Sequence, residues 1–205
     1  MNVVPNRNKD FGYLKIFDLY SSEELEDIWR EVSYLDYIMD TADVETHRGV
    51  FKDGTSKMNG HGVFIDNVYT SRDFSSILKH NRKLFIDEDI LKGINETNTS
   101  NKTSYPQVNR DITLLNRYRN SHKYSPHNDL SLFTAITVLL RDEENISGGE
   151  FILSDYDISF GCVNNSCIIF PSWVHHGVNE LECGDNSCRY SIAQLMYISP
   201  SNIND

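Results

Sequence analysis

A histidine and a carboxylate stand two residues apart in His127-Asn128-Asp129, and a second histidine, His176, follows in a segment rich in β-branched residues. Residues i and i+2 of a β-strand point to the same face, so we expect His127 and Asp129 to face one site. Two imidazoles and a carboxylate on one face of an octahedron leave positions open, an arrangement suited to non-haem Fe(II) oxygen chemistry. The pair alone is not diagnostic, because His and Asp are frequent enough here to stand so by chance.

Arg189 begins a later predicted strand, and Ser191 lies two residues on, facing the same way. A guanidinium binds a carboxylate through two parallel hydrogen bonds, and a neighbouring hydroxyl adds a third. An unpaired charge inside a protein is costly, so a buried arginine near a metal indicates an anionic ligand. We therefore expect a carboxylate-binding position beside the candidate metal site.

The elements that must hold these side chains are predicted to be short strands. From residue 109 onward, runs rich in β-branched and aromatic residues recur, and turn signals such as Ser147-Gly148-Gly149 separate them. Such spacing favours an all-β sandwich or barrel. The predicted strands are 112–118, 132–140, 150–154, 167–170, 174–178 and 189–198.

The preceding part of the chain is predicted to be mainly helical. Ser21, with Glu24 three residues later, predicts a capping box at the start of a helix. Flanking patterns predict strands over 13–19 and 62–69 and helices over 74–78 and 85–94.

Two polar segments, 40–60 and 95–106, are predicted to be loops and are candidates for a lid over the site. No repeat or linker divides the chain, so we expect one domain over 1–205, with a support region over 1–106 and a catalytic core over 107–199.

The charge balance excludes general nucleic-acid binding. The chain has 205 residues, with 19 Lys and Arg against 30 Asp and Glu, for a net charge of −11. An acidic surface repels phosphate backbones. We find neither an apolar run long enough to span a membrane nor the apolar core of a signal peptide, so we expect a cytoplasmic protein without membrane contact.

The four cysteines form two C-x4-C pairs, Cys162 with Cys167 and Cys183 with Cys188. Zinc ribbons usually use closer C-x2-C spacing, and a reducing cytosol disfavours disulfides. We expect four reduced cysteines.

Four motifs, YSPHNDLS, SGGEFIL, IIFPSWVHHGV and RYSIAQL, occur in this order between residues 109 and 199. Together they resemble the core of the Fe(II)/2-oxoglutarate-dependent dioxygenases, in particular the prolyl 4-hydroxylase-like branch. The resemblance implies an α+β fold, with a double-stranded β-helix (jelly-roll) core and N-terminal helices packed on it.

The resemblance implies that His127, Asp129 and His176 hold the iron. His175 competes with His176, but adjacent strand residues face opposite sides, so only one of them can bind. The family pattern places the ligand two residues before a valine, here Val178, and selects His176.

The resemblance also implies that Arg189 binds the distal carboxylate of 2-oxoglutarate, with help from Ser191 and Tyr118. Relatives often carry a cosubstrate-binding Tyr or Lys on the strand before the double-glycine turn, where this chain aligns Leu139. The nucleic-acid demethylating branch carries a second arginine where this chain has Leu195, which also argues against nucleic-acid repair.

The activity so implied is hydroxylation that consumes O2 and 2-oxoglutarate at Fe(II), with ascorbate as reductant, and releases succinate and carbon dioxide. The expected substrate is a prolyl residue in a peptide or protein. Free proline or another small molecule, and a catalytically inactive jelly-roll binding module, are the alternatives. The sequence leaves the oligomeric state open.

Overall fold

The fold is built from antiparallel strands with helices on one side. The computed structural model describes residues 1–41, 53–54 and 56–199, and within these ranges it contains fourteen strands and five α-helices. The strands are β1 Asn2–Arg7, β2 Gly12–Phe17, β3 Met58–Asn59, β4 His61–Phe64, β5 Arg110–Tyr118, β6 Lys123–His127, β7 Phe133–Arg141, β8 Ile146–Gly148, β9 Phe151–Leu153, β10 Ile158–Phe160, β11 Ser166–Pro171, β12 His176–Val178, β13 Leu181–Cys183 and β14 Cys188–Tyr197. The helices are α1 Ser22–Thr41, α2 Ser76–Asn81, α3 Lys83–Ile86, α4 Glu88–Thr97 and α5 Thr99–Ser104.

Two sheets carry the fold. The larger has seven strands in the order β1-β2-β11-β7-β14-β5-β4, and the smaller has five in the order β10-β9-β12-β6-β3. Strands β8 and β13 form a separate pair, and the pairings in all three sheets are antiparallel. The prediction of an all-β sandwich or barrel behind a helical region is confirmed.

The two faces of the large sheet bury different groups. Along β14, Tyr190 and Ile192 pack into the core that the sheet forms with the helices. The alternate residue Ala193 packs into a second core, which the large sheet shares with small-sheet residues such as Phe151. Because strand side chains alternate, this second face also receives Arg189 and Ser191. The site therefore lies between the sheets.

Helix α1 begins as the sequence predicts. The Ser21 N–H donates to Glu24 Oε2 at 2.8 Å, and the Glu24 N–H donates to Ser21 Oγ at 3.3 Å. This reciprocal pair is a capping box, which satisfies two otherwise free helix donors.

The prediction of a loop over 95–106 is wrong. Helix α4 continues to Thr97, and α5 follows after Asn98, whose side chain accepts a hydrogen bond from the Asn101 N–H at 2.7 Å. The buried Asn101 amide donates to Gly12 O at 2.8 Å and fixes α5 to the large sheet. A segment that is helical and anchored in this way is not a lid.

Other boundaries also differ from the predictions. The strand predicted over 13–19 is preceded by β1, which pairs with β2 along its whole length. Of the loop predicted over 40–60, the first two residues end α1, Met58–Asn59 forms β3, and residues 42–52 and 55 lie outside the described residues. No helix in the described part of the chain is both long and apolar enough to cross a membrane.

Candidate active site

Two neighbouring strands of the small sheet present the two histidines. His127 ends β6 and His176 begins β12, and the two residues face each other directly in the antiparallel register. Their ring centroids lie 4.5 Å apart. The register shifts after His176, where a Cβ on Gly177 would lie 2.7 Å from the carbonyl oxygen of Tyr124. The close approach of the two strands therefore requires glycine beside His176.

Backbone carbonyls fix the tautomer of both rings. His127 Nδ1 lies 2.9 Å from Ser125 O, and His176 Nδ1 lies 2.9 Å from Val174 O. A carbonyl oxygen only accepts, so each Nδ1 carries the proton and donates it. Each Nε2 is left with a free lone pair, which is the form in which imidazole binds a metal.

Asp129 lies between the two imidazoles, although not on a strand. Strand β6 ends at His127, so the expected strand alternation does not place this carboxylate. Instead, the Asp129 N–H donates to Ser172 O at 3.0 Å, and Thr134 Oγ1 donates to Asp129 Oδ2 at 2.7 Å. Asp129 Oδ2 lies 3.4 Å from His176 Nε2, and Oδ1 lies 3.8 Å from His127 Nε2.

The charges of this triad suit a cation. Burial, together with the neighbouring His176, lowers the pKa of His127 to about 4, so its ring is neutral near pH 7. Burial alone would raise the pKa of Asp129, but the neighbouring His176 and the hydrogen bond from Thr134 outweigh it and hold that pKa below its usual value. One carboxylate and free imidazole lone pairs, with ligand atoms within 4.8 Å of one another, fit a divalent metal.

Arg189 forms a second, cationic position on the large sheet. The residue is fully buried and lies opposite Tyr118 in the β14–β5 ladder. Its Nη1 donates to Ser191 Oγ at 2.6 Å, and its guanidinium carbon lies 5.0 Å from the centre of the Tyr118 ring. Burial raises the pKa of Tyr118 despite the nearby Arg189, so the phenol keeps its proton.

Two nitrogen atoms of Arg189, Nε and Nη2, have no hydrogen-bond partner among the described residues. A buried guanidinium with free N–H groups carries a large desolvation cost unless an anion accepts from it. The donor set of two N–H groups in a planar fork matches a carboxylate.

A small cavity joins the triad to the residues around Arg189. It has a volume of about 50 Å³, and His127, Asp129, His176, Tyr118 and Ser191 all contribute to its walls. The structure thus brings together five of the six predicted site residues in one cavity, with Arg189 bonded to one of them.

Asn116 is a polar residue of this cavity that sequence reasoning missed. It is buried and lies on β5, two residues before Tyr118. Strand alternation from Tyr118 is the signal that would have found it, because residues i and i−2 share a face.

Several other residues lie away from the cavity. The His175 side chain is half-exposed, with Nδ1 3.3 Å from Asp155 Oδ2, so it points away from the triad as strand alternation predicts. Leu139 packs into the core between the large sheet and the helices, so the aligned position does not face the cavity.

Trp173, within the motif IIFPSWVHHGV, lies at the surface. Trp173 is 53% exposed and packs its ring edge against Phe11. All four cysteines are free in the structure.

Comparison with known proteins identifies the core. Residues 113–197 match the family model of the 2OG-Fe(II) oxygenase superfamily. The matched segment is less than half of the chain. The resemblance stated from the motifs is confirmed, and the superfamily implies Fe(II), 2-oxoglutarate and O2. A comparison with curated protein sequences gives no match.

Solved structures of 2OG oxygenases share the fold over most of the chain. A prolyl 4-hydroxylase from Pseudomonas putida aligns with a TM-score of 0.60 at 14% identity, covering 93% of this chain and 94% of its own. A prolyl hydroxylase from Trichoplax adhaerens, in complex with a peptide of hypoxia inducible factor, aligns with a TM-score of 0.62 at 13% identity, covering 91% and 83%. A viral collagen prolyl hydroxylase from Paramecium Bursaria Chlorella virus-1 aligns with a TM-score of 0.50 at 12% identity, covering 89% and 96%. The α+β fold with a jelly-roll core is thereby confirmed.

Proposed function

We propose that this protein is a 2OG oxygenase, and in particular a prolyl hydroxylase that acts on a prolyl residue in a peptide or protein. In this proposal His127, Asp129 and His176 hold Fe(II), and Arg189 binds the distal carboxylate of 2-oxoglutarate. Ser191 and Tyr118 orient the Arg189 guanidinium and complete its pocket. The observation that carries the proposal is the cavity that the metal-binding triad shares with Ser191 and Tyr118, which both contact a buried arginine with two free N–H nitrogens.

The side chains of the site divide the work between charge and geometry. Bound Fe(II), together with 2-oxoglutarate and O2, supplies the oxidising power to insert one oxygen atom into a C–H bond while succinate and carbon dioxide form. Thr134 and the Ser172 carbonyl hold Asp129 in place, and Ser125 and Val174 hold the two imidazoles. Pre-positioned ligands bind a metal without a further ordering cost.

Arg189 contributes orientation rather than reaction chemistry. Two parallel hydrogen bonds from its free Nε and Nη2 fix both the position and the rotation of a carboxylate. A cosubstrate held at its far end points its other end toward the triad, which lines the same cavity as Ser191. The apolar side chains of Ile136 and Phe151 complete the wall and exclude water.

The choice of a peptidyl proline draws on the named activities of the similar structures. All three reported structures are prolyl hydroxylases by name, and one was solved with a peptide bound. Free proline, or another small molecule, is the second candidate, and the 50 Å³ cavity beside the triad is compatible with a small substrate group in either case.

The test is succinate formation from 2-oxoglutarate under air, with Fe(II) and ascorbate, by the wild type and by Asp129→Ala. Asp155→Ala is the matched control, because it removes an exposed carboxylate that pairs with His175 outside the triad. We expect iron-dependent succinate from the wild type and the control, and at least about a hundredfold less from Asp129→Ala, since a missing ligand disables metal binding.

Two further arms resolve the substrate. Proline-rich peptides and free proline are added separately, and mass spectrometry tests whether the product has gained the mass of one oxygen atom. Stimulation by the peptides alone supports the peptidyl assignment, and stimulation by free proline alone replaces it. Iron binding without succinate formation in either arm contradicts the oxygenase proposal. If the protein neither binds iron nor forms succinate, the inactive binding module is favoured.

A further inference from the structure

A groove on the helix side of the large sheet lies away from the candidate active site. It has a volume of about 560 Å³, and residues of α2, α3, the start of β5 and β14 line it. Its β14 residue, Gln194, follows Ile192 by two residues and so shares the face of the sheet that packs toward the helices. The candidate active site borders the opposite face. This Gln194 groove, which includes Lys79, Arg82 and Phe85, is therefore a separate pocket of a size typical of small-molecule sites.

Gln194 carries a buried acceptor without a partner. The residue is 1% exposed, and its Nε2 donates to Asp111 Oδ2 at 2.9 Å. Because an ionised carboxylate only accepts, this hydrogen bond fixes which end of the amide is the nitrogen. Oε1 is therefore the free end, and it has no hydrogen-bond partner among the described residues. A buried carbonyl oxygen without a donor is costly, so Gln194 Oε1 indicates a ligand that supplies an N–H group.

An ion pair holds the Gln194 amide in place. Asp111 Oδ2 also accepts from Arg72 Nη2 at 2.8 Å, and Arg72 Nη1 donates to Asp66. The carboxylate that anchors Gln194 is thus itself fixed by a charged partner. The free Oε1 consequently has a defined position in the groove.

Two cations of the same groove have no partner of opposite charge. Lys79 belongs to α2 and Arg82 follows at its C-terminal end, and both are exposed and line the groove. Their side chains form no hydrogen bond or ion pair with another residue in the described part of the chain. Residues three apart are neighbours on a helix surface, so the two charges can act together. The lining as a whole also holds more Lys and Arg than Asp, in a chain of net charge −11. Such a pair, with one planar guanidinium, favours a phosphate group.

An apolar wall completes the groove. Leu78, Phe85, Ile86 and Val108 line it, and the Ile86 side chain is 68% exposed. An aromatic ring among aliphatic side chains suits a flat aromatic ligand group, which can stack on the ring and cover the exposed apolar surface. A phosphate, a flat ring and an N–H donor occur together in a nucleotide.

We propose that the Gln194 groove binds a purine nucleoside monophosphate. The phosphate lies against Lys79 and Arg82, the base covers the apolar wall, and the exocyclic amino group of the base donates to Gln194 Oε1. The inference goes beyond the proposed function and does not depend on it, because the groove and the candidate active site lie on opposite faces of the large sheet.

The experiment is calorimetric titration of AMP into full-length, metal-free protein, as wild type, Arg82→Gln and Lys92→Gln. Lys92 is an exposed lysine of α4 outside the groove, which makes Lys92→Gln the matched control. We expect one AMP per chain, with affinity at least about tenfold weaker in Arg82→Gln and unaltered in Lys92→Gln. Adenosine and inorganic phosphate each lack one of the recognised groups, and we expect each to bind at least about tenfold more weakly than AMP.

A second arm tests the contact with Gln194. The purine ribonucleotide that lacks the exocyclic amino group is compared with AMP in wild type and in Gln194→Met, which keeps a side chain of similar volume without the amide. We expect about fivefold weaker binding of this analogue in wild type and no difference between the two nucleotides in Gln194→Met. The comparison in wild type needs no variant, and urea unfolding establishes that Gln194→Met is folded.

Several results would overturn the proposal. They are a wild type that does not bind AMP, an AMP affinity that Arg82→Gln leaves unaltered, inorganic phosphate or adenosine that binds as tightly as AMP, and equal binding of the two nucleotides by wild type. None of these measurements uses iron, 2-oxoglutarate or succinate formation, so each of these results leaves the proposed function standing.

Discussion

Replacing Arg189 with glutamine tests the assignment of the cationic position most sharply. The substitution removes the charge and the planar fork that presents Nε and Nη2, both of which lack a partner among the described residues. A hydrogen bond to a charged group contributes about 1.5–3 kcal/mol, so losing two of them weakens 2-oxoglutarate binding by about 3 kcal/mol or more. That loss corresponds to a rise in Kd of at least about a hundredfold.

The measurement is calorimetric titration of 2-oxoglutarate into Mn(II)-loaded wild type, Arg189→Gln and Arg110→Gln. Arg110 is an exposed arginine at the far end of β5, which makes Arg110→Gln the matched control. Unfolding in urea is followed in parallel to measure the free energy of unfolding of each variant. Because the buried guanidinium is incompletely paired, we expect its removal to lower the free energy of unfolding far less than it weakens the free energy of 2-oxoglutarate binding. An Arg189→Gln protein that folds, binds Mn(II) and keeps wild-type affinity for 2-oxoglutarate refutes the assignment.

Three further substitutions test the support of the site and of the fold. Thr134→Val removes the 2.7 Å hydrogen bond to Asp129, and we expect about 10- to 100-fold weaker Fe(II) binding in anaerobic titration; unaltered affinity contradicts a positioning role. Gly177→Ala places a Cβ 2.7 Å from the Tyr124 carbonyl oxygen, and we expect a loss of about 1–3 kcal/mol in urea unfolding together with weaker metal binding; a stable variant with normal metal affinity contradicts the packing argument. Ser21→Ala removes half of the capping box, and we expect a stability loss of about 0.5–2 kcal/mol with unaltered metal binding; a change in metal affinity instead contradicts a purely local role.

Much of the candidate site could be predicted from the sequence. Two histidines, a carboxylate and an arginine that occur in this motif order are typical of few other kinds of site. His127, His176 and Arg189 were selected from spacing and motif order, and the structure brings them to one region. The route by which Asp129 joins them was not predictable from strand alternation. It depends on a turn held by Ser172, which is distant in sequence and adjacent only after β7 and β11 have paired.

The helical segment over 95–106 shows a different limit. Its Asn, Ser and Thr residues favour loops by composition, since their side chains compete for backbone hydrogen bonds. In the fold the same chemistry starts a helix, because Asn98 caps α5 and Asn101 bonds to the Gly12 carbonyl. That second partner comes from β2, so no local pattern reports it.

Short strands were the other element that patterns missed. Strands β10 and β13 have three residues each, too few for an alternation to stand out. They form because β9 and β8 lie alongside and supply their hydrogen-bond partners. Tertiary pairing decides such elements.

The measurement that bears most directly on the account is the stoichiometry of Fe(II) binding under anaerobic conditions, in wild type, Asp129→Ala and Asp155→Ala. We expect one ferrous ion per chain for wild type and Asp155→Ala, and no stoichiometric binding for Asp129→Ala, because Asp129 is the sole carboxylate of the described triad. Stoichiometric iron in folded Asp129→Ala, or none in the wild type, would contradict this expectation.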